Sequence, residues 1–135
     1  MSRPPPTPPT ERPEFALAMR LHNSGEYYEA HEAWEEIWRD EENDEWRLFV
    51  QGLIQVSSAF HKLMHQREPG GASRLLARGL GKLEPYPGDY LGVDLAHFRE
   101  GARACVPIIA GYEHDRAKMA SFDPSAIPSL RFLGP

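Results

Sequence analysis

No proline stands between Glu14 and Glu68, although the 135-residue chain contains thirteen. Proline has no amide proton to give a helical ladder and its ring strikes the preceding turn, so this long stretch is open to helix in a way the rest of the chain is not. Within it the apolar residues return every three or four positions, and no segment alternates as a half-buried strand would. The fold class read from this pattern is all-α: a compact bundle of about five helices with an extended N-terminal arm and C-terminal tail. Residues 1–12 read as a proline-rich flexible arm, 13–120 as one helical domain and 121–135 as the tail. A chain of this length buries enough surface for one core without disulfides.

A first helix is expected from Pro13 to Asn23, with Phe15, Leu17, Ala18 and Leu21 as its apolar stripe and Gly25 as the left-handed stop. The second, from about Glu26 to Asp40, turns Tyr27, Ala30, His31, Trp34, Ile37 and Trp38 to one face and Glu29, Glu32, Glu36 and Arg39 to the other. The third, from about Asp44 to Gln66, has an apolar side, a polar stripe of Gln51, Gln55, Ser58 and Lys62, and Gly52 with Ala59 between them. It is expected to be central, with its small residues admitting a close neighbour. Pro69, Gly70 and Gly71 read as a break before a fourth helix over Ala72 to Glu84, whose outward side carries Arg74, Arg78 and Lys82. Glu84 to Val93 reads as a loop, and Asp94 as the cap of a fifth helix that Pro107 should kink or divide. The tail is expected to lay Ile127, Leu130 and Phe132 against the bundle.

A formal net charge of −5 and a pI near 5.7 give no positive field for nucleic acid or anionic membrane. The row Arg74, Arg78 and Lys82 therefore reads as a solvated face, or as a counterweight to the acidic side of the second helix; nucleic-acid binding is the least favoured use of it. No apolar run reaches the ~18 residues of a membrane span, and the N-terminus lacks a signal-peptide pattern. The single Cys105 reads as an inert core thiol. A cytoplasmic protein without membrane association is expected.

The residues with chemical potential gather between Gly25 and Gln55. His31 and Glu35, four apart, share a helix face, with Glu32 beside them. These three are the candidate catalytic residues, and His31 with Glu35 the candidate metal ligands. Gln51, Gln55 and Trp38 are the candidate binding residues across the junction with the third helix. Glu35 stands where a zinc-protease motif has its second histidine, and no second Glu-x-x-His run completes a bundle metal site, so a divalent cation is a less favoured cofactor. A buried hydrogen-bond network of His31, Glu35, Gln51 and Gln55, fixing helix register, is the favoured reading over a ligand pocket. His61 and His65 read as a solvated helix end, PGGAS as a plain helix start, and His22, His97 and His114 as surface or capping residues. Tyr27, Trp34 and Trp38 read as core.

The ordered stretches GEYYEAHEAWEEIWR, FVQGLIQVSSAFHKL and GGASRLLARGLGKL resemble the family known as domain of unknown function 309, over roughly Phe15 to Leu83. The resemblance implies a compact helical bundle and no established activity. His31, Glu32, Glu35, Trp38 and the run Gln51 to Gln55 match the family's pattern, and the proline-rich arm departs from it.

Two functions follow as expectations. One is a binding or structural domain, open to homo-oligomers, that takes a small ligand or protein partner at the junction of the second and third helices. The alternative is a hydrolase or isomerase using Glu35 as general base and His31 as acid or ligand, with Gln51 or Gln55 orienting the substrate.

Overall fold

The computed structural model describes residues 5–134, so Met1–Pro4 of the expected arm lie outside the described residues, as does Pro135. Five α-helices follow one another: α1 (Pro13–Asn23), α2 (Tyr27–Asp40), α3 (Asp44–Met64), α4 (Pro69–Leu83) and α5 (Leu95–His114). Each boundary has a local cause. Pro13 opens α1 where its missing amide proton would have had no partner. Gly25, at φ +84°, takes the left-handed conformation that turns the chain back into α2. Asn43 accepts the Trp46 amide at 3.0 Å and so starts α3. Asp94 accepts from the His97 amide and starts α5.

The third helix is central, as its stripes require. Phe49, Val50, Leu53, Val56, Ala59 and Phe60 are fully buried, and α3 packs most extensively against α4 and then α2. The close approach to α4 rests on two glycines. A Cβ on Gly79 would lie 2.9 Å from the Gly52 carbonyl oxygen and 2.9 Å from the Val56 amide nitrogen, so no larger residue fits between these backbones.

Several expectations are corrected. Pro69, Gly70 and Gly71 are not a break but the first turn of α4, because proline suits the first helical position. A Cβ on Gly71 would strike the Lys62 side chain at 2.7 Å. Pro107 does not divide α5, which runs unbroken past it. It lies with Val106 and Ile108 on the exposed side, where the interrupted ladder bond is not enclosed in the core. The arm is not extended up to Arg12: Pro9–Glu11 form a 3-10 turn, and Pro9 is buried.

After α5 the chain makes 3-10 turns at Arg116–Ser121 and Pro124–Ala126 and returns across the bundle as a strap. Leu130 is fully buried and Ile127 packs at the core's edge, while Phe132 stays 43% exposed with its ring 6.0 Å from Phe15. Among the described residues the only β pairing is the isolated bridge Val93–Phe132. The end of α1 holds this strap. Asn23 both donates to the Leu130 carbonyl and accepts its amide, each at 2.8 Å. His22, expected at the surface, is instead 1% exposed and bonded to the Pro128 carbonyl at 2.9 Å. No helix among the described residues is long and apolar enough to cross a membrane.

Candidate functional site

On α2 the His31 Nε2 stands 2.9 Å from Glu35 Oε1, the pairing that their spacing of four predicts. Arg39 donates to the other Glu35 oxygen at 3.2 Å and to Glu36 at 3.2 Å. The pair is not sealed, since the side chains of His31 and Glu35 remain 22% and 31% exposed. Glu32 projects to solvent and joins neither.

The glutamines do not complete this network. Gln55 accepts from Lys82 of α4 at 2.9 Å. Gln51 lines a separate groove of about 300 Å³ with Trp38, Asp44, Arg47 and Leu48, where the Arg47 guanidinium sits 3.9 Å over the Trp38 ring. The single buried junction expected from sequence is therefore two surface grooves. Its cause is helix length: His31 and Trp38 are two turns apart, roughly 10 Å along the axis, too far for one cluster to span.

The groove that contains His31 has a volume of about 360 Å³ and lies among α2, α3 and α4. Ile54 and Leu75 give it apolar surface; Tyr28, His31 and His61 bring rings; Gln55, Ser58, Lys62 and Gln66 bring polar ends. The Tyr28 ring lies 5.6 Å from His31 and 5.4 Å from His61, linking the two histidines across the helices. Burial lowers the pKa of His61, helped by the neighbouring His65 and opposed by Glu29. The shift favours the uncharged ring of His61. Lysine can only donate, so Lys82 fixes the Gln55 amide with its oxygen toward α4.

Ser58 and Lys62 belong to the polar stripe legible on α3, but Tyr28 and Leu75 reach the groove from other helices and carried no signal of it. His65 is exposed and bonds the Gly25 carbonyl, while His61 is half-buried in the groove, so the pair is only partly a solvated helix end. Arg74 and Arg78 make no ion pair with α2 among the described residues, and Lys82 serves Gln55 instead. Among the described residues no three His, Cys, Asp or Glu side chains are grouped to hold a metal ion.

Every side chain lining this groove falls inside the part of the chain that a family model recognises. Residues 15–75 match DUF309, a domain of unknown function. The matched segment runs from α1 into α4, and Lys82 meets Gln55 from just beyond it. An uncharacterised protein of Aquifex aeolicus (strain VF5) is 30% identical over 77 residues, which cover 57% of this chain and 23% of that relative. The matched stretch is thus less than a quarter of the relative's length.

Proposed function

We propose that this chain is a small-ligand-binding domain and that its ligand sits in the groove among α2, α3 and α4. The observation that carries this reading is the lining itself: an open recess of about 360 Å³ with Ile54 and Leu75 beneath a few oriented polar groups. Small-molecule sites have this make-up, with apolar walls for affinity and few polar groups for orientation. The half-exposed His31–Glu35 pair supports it too, because its buried alternative, a sealed packing network, would hold its members away from solvent. A fragment screen by amide chemical shifts tests the reading. Shifts should cluster at Tyr28, His31, Ser58 and His61; a screen whose only hits fall elsewhere contradicts it.

The His31–Glu35 contact favours one second reading, an enzyme of hydrolase or isomerase type. Glu35 is engaged by both His31 and Arg39, so the base that faces the groove is the imidazole and the carboxylate orients it. Turnover of activated esters by the wild type, lost in His31→Gln, is the outcome this reading requires; equal turnover in both proteins removes it.

A further inference from the structure

We infer that the groove takes an anion-headed amphiphile, a small molecule whose apolar body ends in a carboxylate or phosphate. The inference rests on the ligand-binding reading above and adds the sign of the ligand's charge. The chain holds twenty acidic residues, yet none of them lines this groove. The contrast lies on the same molecule: the cavity beside the N-terminal arm is lined by Glu11, Asp40, Glu41 and Glu42. Carboxylates thus line that cavity and not this groove.

What faces the groove instead are donors. The Gln55 amide, part of the lining, has its oxygen committed to the Lys82 ammonium at 2.9 Å, and its two N–H groups have no protein partner among the described residues. Lys82 is half-buried, and among the described residues no carboxylate lies within ion-pair distance of it. Partial burial makes an uncompensated ammonium costly, and an anion bonded to Gln55 beside it supplies the missing charge. Arg78 is one turn before Lys82 on the face of α4 that also carries Leu75, and it too lacks a carboxylate partner among the described residues. The nearest acids act through other groups: Glu68 pairs with the lining Lys62 at 3.2 Å, Glu35 is held by His31 and Arg39, and Glu29 bears on His61. Ile54, Leu75 and the Tyr28 ring then receive the apolar body.

Four six-carbon probes with a common chain test this on the full protein: hexanoate, hexyl phosphate, hexan-1-ol and hexylamine, each titrated against amide chemical shifts. One of the two anions should bind about tenfold tighter than hexan-1-ol, as a charge-assisted hydrogen bond implies. The stronger of the two names the head group. Lys82→Met and, separately, Gln55→Leu should erase that preference, read within each variant as the ratio of anion to hexan-1-ol affinity. Equal affinity for alcohol and anions, or tightest binding of hexylamine, overturns the anion assignment and leaves the groove as a ligand site. If none of the four shifts Tyr28, His31 or Ser58, the groove reading fails with it.

Discussion

The His22 imidazole bonds the Pro128 carbonyl oxygen at 2.9 Å and so closes the chain across 106 positions. Because a carbonyl only accepts, the proton is on Nε2, and Nδ1 is free to accept from Ser57 Oγ at 3.1 Å. The ring stands among Tyr27, Trp34, Phe60 and Phe98, with centroids 5.2 to 6.4 Å away. This neutral tautomer is satisfied at both nitrogens, and burial pushes its pKa down from 6.5 to about 4.

Acid should therefore weaken the fold through His22. The unfolded chain takes up this proton near 6.5 and the folded chain only near 4, so the unfolded state holds more protons between them. The contribution is fully present above pH 6.5 and falls away toward pH 4, by about 3 kcal/mol. Urea denaturation of the wild type and His22→Gln from pH 7 to pH 4 measures it as the difference in slope. Identical slopes in the two proteins would show that this histidine does not titrate with unfolding.

The glycines of α4 should respond in opposite directions. Gly79→Ala places a methyl against the backbone of α3, which cannot yield, and should cost about 2 kcal/mol despite the helix propensity gained. Gly81 has nothing within 4 Å of the position a Cβ would take, so Gly81→Ala should stabilise by roughly 0.5–1 kcal/mol. Thermal melts of the two variants beside the wild type check the pair. A stabilised Gly79→Ala would contradict the close contact of α3 and α4.

The His31–Glu35 pair should contribute little to folding. A hydrogen-bonded His–Glu pair on one helix face with both side chains partly exposed is worth a few tenths of a kcal/mol. Glu35→Ala should accordingly shift unfolding by less than about 1 kcal/mol, read by chemical denaturation. A loss of 3 kcal/mol or more would restore the sealed-network role expected from sequence.

How legible was this molecule in its sequence? The bounds of α1 were readable residue by residue, since Pro13 and Gly25 act locally. The small-residue seam of α3 was readable too, because Gly52 and Ala59 stand out at helical spacing. What escaped were relationships between distant residues. Nothing near His22 announces a partner in the tail, and nothing near Gln55 announces Lys82. The candidate site was half legible for the same reason: periodicity assigned His31 and Gln55 to facing sides of α2 and α3, but not the offset that gives Gln51 and Trp38 a groove of their own. Pro69 and Pro107 were illegible because position, not residue type alone, decides whether proline starts, breaks or is tolerated by a helix.

A ligand seated in the groove beside His31 must yield its place to any side chain that fills the recess. Ser58 lines it from the centre of α3 and is only partly buried, so Ser58→Trp fills the recess from its wall without entering the core. The decisive measurement is the Kd of the tightest-binding fragment or six-carbon probe for the wild type and for this variant, with a thermal melt of each. Binding should weaken by at least about 30-fold while the melting temperature moves by only about 3 °C. Unchanged affinity in a folded Ser58→Trp protein would contradict this seating of the ligand.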